Sequence, residues 1–218
     1  MTILSSQRPR ILATVASLAV LIAACSSAAT TLPPPTAVPP AADGCPTSQP
    51  EPLPAGETRT VTITTDLGEV ALAIQADLSP IAAGNFVALA ECGYYDGVVF
   101  HRAATLPDGT PFVIQGGDPT GTGSGGPGYT IQDEAVTTRY QRGTVAMART
   151  SQPNSVGSQF FIVLDDGAEP PLVSANTYQI IGSVASGMET ADAIYSAAGG
   201  VELPSDPVVM TDVAVSNP

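Results

Sequence analysis

The sequence predicts a mainly β fold, an antiparallel barrel or sandwich. Two observations carry this. Short apolar or alternating runs recur along the chain with Gly, Pro and Asp between them, and only two stretches have helical spacing.

The elements follow in chain order. Residues 60–74, TVTITTDLGEVALAI, alternate apolar and polar on both sides of Asp66-Leu67-Gly68 and predict a β-hairpin. Ser79-Pro80 opens a helix, because Ser is a good N-cap and Pro lacks only an N–H that the first turn leaves unpaired anyway. Ile81, Phe86, Val87, Leu89 and Ala90 give that helix an apolar face, and Cys92-Gly93 ends it. Tyr94-Tyr95-Asp96-Gly97 is a turn, and VVFHR, residues 98–102, a short strand. After a loop at 107–109, PFVIQ (111–115) is strand-like, and residues 116–128 are glycine-rich. Further strands are expected at 143–148, 158–164 and 178–184, a second helix at 184–198 and a last strand at 208–215.

The N-terminus stands apart from this pattern. Arg8 and Arg10 precede an uncharged apolar run, residues 11–24, of about fourteen residues, which is short for a bilayer span and fits the core of a signal peptide. It ends in LIAAC, with small residues before Cys25, and so resembles a bacterial lipobox in which the cysteine is lipidated; an ordinary secretory signal with an incidental Cys25 is the alternative. From 26 to about 57 the chain is rich in Pro, Ala, Thr and Ser and buries too little apolar surface to offset its ordering entropy. The expected organisation is a signal peptide over 1–24, a disordered tether over 25–57 and one domain over 58–218. An extracytoplasmic protein, lipid-anchored to a bacterial membrane, follows as an expectation.

The chain has no lysine. Five arginines remain after residue 24 against twenty acids, 5 − 20 = −15, which argues against nucleic acid or an anionic lipid surface as partner. With Cys25 lipidated, Cys45 and Cys92 are left as a pair, and a disulfide between them fits an oxidising compartment. Two thiols and one distant histidine have no zinc-ligand spacing, so no metal is expected.

GTGSGGPG (121–128) is not a phosphate loop: no Lys-Ser or Lys-Thr follows it, and it reads as a loop needing unusual backbone angles. Serine chemistry lacks support, since the single histidine, His101, has no nucleophile elbow to serve. In SQFFIVL (158–164), strand alternation puts Gln159 and Phe161 on one face and Phe160 and Ile162 on the other; one face is a candidate ligand pocket. In VVFHR the same rule puts Val98, Phe100 and Arg102 on one side and His101 on the other, so histidine and arginine cannot share one small substrate. His101 is then expected to be a packed structural residue.

Taken in order, VVFHR, FVIQGGD, the glycine-rich loop, MAR, NSVGSQFFI and YQIIGSVASGM resemble a cyclophilin-type peptidyl-prolyl isomerase over about residues 60–217. The resemblance implies a closed eight-stranded antiparallel barrel capped by two helices. It implies Arg102 as the catalytic arginine, Phe112, Val113 and Phe161 as walls of a proline pocket, and Gln115 and Gln159 as polar groups holding substrate and arginine. Gly123, Ala148 and Arg149 match peptide-contacting positions, the last two largely through backbone, and Leu172 and Tyr178 match the far rim. Departures are a longer loop at 105–110, Val113 where Met is frequent, Tyr178 where many eukaryotic members have His, and the absence of Trp. No cofactor is implied. The partners implied are proline-containing peptides or unfolded exported proteins, met by a monomer that touches a membrane only through its N-terminal lipid. A non-catalytic proline-peptide binding or chaperone module is the alternative.

Overall fold

The computed structural model describes residues 44–175 and 177–216; the expected signal peptide, Cys25 and the expected tether up to residue 43 lie outside the described residues. Eight strands form one antiparallel sheet: β1 (Thr58–Thr65), β2 (Gly68–Gln75), β3 (Arg102–Thr105), β4 (Pro111–Gly116), β5 (Thr144–Met147), β6 (Phe160–Val163), β7 (Ile180–Ser186) and β8 (Asp212–Ser216). The ladder runs β3-β4-β6-β5-β7-β2-β1-β8. The predicted hairpin is β1 and β2, in register from Thr58↔Gln75 to Thr65↔Gly68.

Strand number and antiparallel pairing match the expectation, but the ladder does not close. β3 and β8 stand at its two ends. The segments just before them meet instead: Phe100 N donates to Val208 O at 2.9 Å and Met210 N to Val98 O at 2.8 Å. The sheet is therefore a curled half-barrel whose seam is stitched by irregular chain.

The helices also differ from the expected two. Among the described residues there are three, α1 (Pro80–Glu91), α2 (Glu169–Ala175) and α3 (Met188–Ala197). α2 was hidden in what reads as a loop, although Pro170 and Pro171 fall in its first turn, where prolines are tolerated. α3 starts later than residue 184 because β7 runs on to Ser186 and Gly187 turns the chain at φ 84°. Ser79 does not cap α1 with its side chain. Glu134 does so from a distant loop, accepting Ile81 N and Ala82 N at 2.9 Å each. A carboxylate suits the place, since it satisfies orphan N–H groups at the positive end of the helix dipole.

Residues 45–57, the end of the expected tether, lie against the domain. Cys45 is disulfide-bonded to Cys92 at the end of α1, with Cα atoms 5.2 Å apart. Leu53 is buried and its N–H donates to Pro80 O at 2.9 Å. Gly84 on α1 allows this approach, because a Cβ there would strike the backbone of Glu51–Leu53.

Strand alternation divides the apolar residues into two clusters. Ile114, Val145, Met147, Phe160 and Ile162 belong to the main core with Phe86, Tyr95 and Phe100. Their neighbours Val113, Ala146, Phe161 and Val163 form a second cluster on the opposite face, with Tyr140, Leu172 and Ile180. That second face carries the site.

Candidate active site

The register of four strands sets the site's geometry. Arg102 pairs with Gln115, Gln115 with Phe161, and Phe161 with Ala146, so these side chains stand in one row across β3, β4, β6 and β5. The strand expected over 98–102 is displaced: β3 begins at Arg102, and the residues before it are irregular. Alternation therefore breaks at His101. Phe100 packs in the main core, whereas Arg102 reaches the other face. The expectation that Phe100 and Arg102 share a side fails for this reason.

A cavity of about 240 Å³ opens on this face, lined by Arg102, Phe112, Val113, Gln115, Ala148, Arg149, Phe161, Leu172 and Tyr178. Gly123 and Gln159 line an adjoining cavity of about 420 Å³, which shares Gln115, Ala148 and Arg149 with the first. All eleven residues singled out for catalysis or substrate contact thus gather at two neighbouring hollows. Leu172 arrives on α2, the helix the sequence hid. Tyr178 meets Phe161 edge to face with centroids 5.4 Å apart, and its backbone is held by Tyr140, whose hydroxyl donates to Tyr178 O at 2.8 Å. Burial pushes the Tyr140 hydroxyl up to about 12, so it remains a donor.

A line of polar groups crosses the hollow. Arg102 Nη1 donates to Gln115 Oε1 at 3.2 Å. Gln115 Nε2 donates to Gln159 Oε1 at 2.9 Å. Gln159 Nε2 donates to Gly123 O at 3.0 Å and Gly125 O at 2.9 Å. Each amide thereby has its orientation dictated by the next. Arg102 Nε is taken by Glu202 Oε1 at 2.7 Å, and Nη2 makes no hydrogen bond among the described residues.

Arg149 behaves differently. Its guanidinium is tied back to Asp133 at 3.0 Å and to the carbonyls of Thr150 and Gln152. The second cation of the hollow is therefore neutralised by Asp133, from the segment before β5, and tied to carbonyls of its own loop. Only its backbone and stem are offered to a ligand.

Asp118 is fully buried beneath the glycine-rich loop. It accepts Thr120 N at 2.7 Å, Thr122 N at 3.2 Å and Gly125 N at 2.9 Å. Burial opposes its ionisation, but these bonds outweigh burial and hold the carboxyl below its ordinary range. The loop it shapes needs positive φ at Gly121 (67°) and Gly123 (82°), as expected from its glycines. His101 is buried against Gly123, and neither ring nitrogen makes a hydrogen bond. Burial lowers its pKa, and Asp118 only partly opposes this. Glu202 carries no local signal of its role, since it lies a hundred residues from the arginine it holds.

Comparison with known proteins identifies the family. The family described as cyclophilin type peptidyl-prolyl cis-trans isomerase matches residues 60–215. The chain belongs to this family. Among relatives, the Mycobacterium tuberculosis peptidyl-prolyl cis-trans isomerase A is 35% identical over 178 residues, 73% of this chain and 93% of that protein. The probable isomerase B of the same organism is 37% identical over 171 residues, 70% of this chain and 53% of that protein. A Streptococcus pyogenes putative bifunctional phosphatase/isomerase is 48% identical over 107 residues, where the match spans 22% of its length. The crystal structure of a Cryptosporidium parvum cyclophilin-type isomerase superposes with a TM-score of 0.64 at 34% identity, covering 74% of this chain and 99% of that one. The same parasite protein was also solved in the presence of the dipeptide Ala-Pro.

Proposed function

We propose that this cyclophilin-family chain is a peptidyl-prolyl cis-trans isomerase acting on X-Pro bonds of exported proteins, with Arg102 stabilising the twisted amide. The observation that carries the reading is a guanidinium held at two corners beside an aromatic cavity, with Nη2 left over.

The barrier to X-Pro rotation, about 18–20 kcal/mol, comes from amide resonance. No bond has to be broken and no proton has to leave. In the twisted transition state the prolyl nitrogen recovers its lone pair and becomes a good acceptor. A hydrogen bond from Arg102 to that nitrogen is stronger in the twisted state than in the planar one, and only such a difference accelerates the step. Arginine suits the task because it stays charged and its donors are fixed in a plane. Phe112, Val113 and Phe161 grip the prolyl ring while the preceding carbonyl swings. Their apolar walls lower the local dielectric and strengthen the bond from Arg102. Gln115 and Gln159 fix the position of the guanidinium, and the backbone around Ala148 offers the peptide an edge. The substrate part of the reading is supported by the parasite relative, which was solved in the presence of the dipeptide Ala-Pro.

Export and anchoring belong to the same proposal. The apolar run before Cys25 supports a lipidated N-terminus, and the Pro-rich stretch after it would hold the domain away from the bilayer. If Cys25→Ala leaves the protein in the membrane fraction, this part is wrong.

The catalytic part is tested by isomerisation of an Ala-Pro peptide, followed by chymotrypsin coupling or NMR exchange. Wild type should accelerate the exchange, and Arg102→Ala should lose about a hundredfold or more, the usual scale for removing a group aimed at transition-state charge. Equal rates for the two proteins would sink the catalytic role and leave a proline-peptide docking module.

A further inference from the structure

Glu202 lies on the loop between α3 and β8 and does not line the proline cavity, yet it is bonded to the residue at its centre. Its placement is built rather than incidental. Its own carbonyl accepts Ala103 N at 2.9 Å, which pins the loop to the free edge of β3 immediately beside Arg102. The loop reaches that edge through Gly199 and Gly200, both at positive φ, with Val201 N bonded back to Ala198 O at 3.1 Å. The Glu202 side chain is exposed, while that of Arg102 is about one-third exposed.

The guanidinium is therefore gripped on two corners. Gln115, which lines the cavity, takes Nη1, and Glu202, which does not, takes Nε. A planar group held at two corners has lost the rotations that would swing its third nitrogen away. We propose that Glu202 is a positioning residue for proline isomerisation, orienting the Arg102 guanidinium so that Nη2 is kept for the substrate. The inference rests on the isomerase reading above. It gives the acidic loop a place in the reaction that its exposed, mobile-looking composition does not announce, and it makes the carboxylate an ally of Arg102 rather than a competitor with substrate.

The test measures kcat and KM separately on an Ala-Pro peptide for wild type, Glu202→Ala, Glu202→Gln and Arg102→Ala. A residue that acts through Arg102 and touches no substrate should move kcat and leave KM alone. Glu202→Ala is expected to lower kcat about five- to tenfold, as a slackened catalytic group does, with KM within about twofold. Glu202→Gln keeps an acceptor for Nε and should retain more than about half of the activity lost in the alanine variant. The Arg102 Nε–H resonance should be protected from exchange in wild type and Glu202→Gln and lose that protection in Glu202→Ala. The melting temperature should hardly move, because an exposed ion pair contributes little to stability. Wild-type or raised kcat in Glu202→Ala, or a loss confined to KM, overturns the proposal. If Arg102→Ala is inactive while Glu202→Ala is unaffected, this inference alone fails. If Arg102→Ala is itself fully active, the arginine mechanism fails and takes this inference with it.

Discussion

Gln115 and Arg102 face each other across the β3–β4 ladder, and the Gln115 amide is orientated so that its oxygen meets the guanidinium. Its nitrogen donates to Gln159 Oε1 at 2.9 Å, which turns Oε1, the amide's only acceptor, towards Arg102 Nη1. Gln115→Leu keeps the size and removes the acceptor. It is expected to lower kcat for an Ala-Pro peptide by about 10–100-fold, the cost of a catalytic group released by about an ångström. Gln159→Leu should do less, since it acts on Arg102 through one more link. The ordering of the two losses, read from kcat, is the check; a larger loss for Gln159→Leu contradicts the relay.

The one histidine provides a clean pH probe. Burial lowers the pKa of His101 below 6.5, Arg102 adds to that shift, and Asp118 and the nearby Val99 carbonyl act against it. Above 6.5 the ring is neutral whether the chain is folded or not, so it contributes nothing to pH dependence. As the pH falls through 6.5 the unfolded chain takes up a proton that the folded chain resists, and stability drops until the folded pKa is also passed. Urea midpoints are thus expected to fall as the pH drops below about 6.5, before most carboxylates titrate. His101→Asn should flatten that slope whatever it does to absolute stability. A direct reading comes from the single imidazole C–H resonance, which should titrate below 6.5; a value above it would remove the basis of the expectation.

Glu134 ties three regions together. It caps α1 through Ile81 N and Ala82 N, and it accepts from the buried Gln179 Nε2 at 3.2 Å. Glu134→Ala leaves two helix N–H groups and a buried amide short of a partner. A loss of about 1–2 kcal/mol is expected, at the upper end for helix caps. Chemical denaturation with an unchanged m-value is the measurement. Glu134→Gln, which keeps the oxygen but not the charge, should fall between the two.

What could be read in the sequence was what local chemistry determines. Alternation in SQFFIVL separated Phe160 and Ile162 from Phe161 because the strand there is regular, and the two residues do lie in different clusters. The same rule misplaced Phe100 against Arg102 because the apolar run continues through residues that are not in the ladder. α2 has no counterpart among the expected elements; its seven residues are too few to show helical spacing, and its two prolines are harmless in a first turn. Ser79 was a reasonable cap by type, but a carboxylate more than fifty residues away took the position. Glu202 follows the same pattern. Partners supplied by tertiary folding leave no trace in the window around the residue they serve.

The bond between Cys45 and Cys92 closes a loop of 47 residues and ends on the last turn of α1. Loop-closure entropy for that length suggests a stabilisation of about 3–4 kcal/mol, less whatever structure the reduced, unfolded chain retains. What it holds down is the irregular segment 45–57, which is also anchored by the buried Leu53 and its bond to Pro80 O, by Gln49 Oε1 accepting from Gln132 N at 2.9 Å, by Gly56 N donating to Asp77 Oδ1 at 2.9 Å and by Glu57 O accepting from Ala76 N at 3.0 Å. None of these touches the cavity lined by Arg102 and Phe161. Reduction, or replacement of both cysteines by serine, should therefore lower the denaturation midpoint and open residues 45–57 to proteolysis while leaving kcat on an Ala-Pro peptide within about twofold, because sites this separate act independently. A paired measurement of protease cleavage and isomerisation rate on the oxidised and reduced protein decides it. Loss of activity in step with cleavage would mean that the segment supports the site as well as the fold.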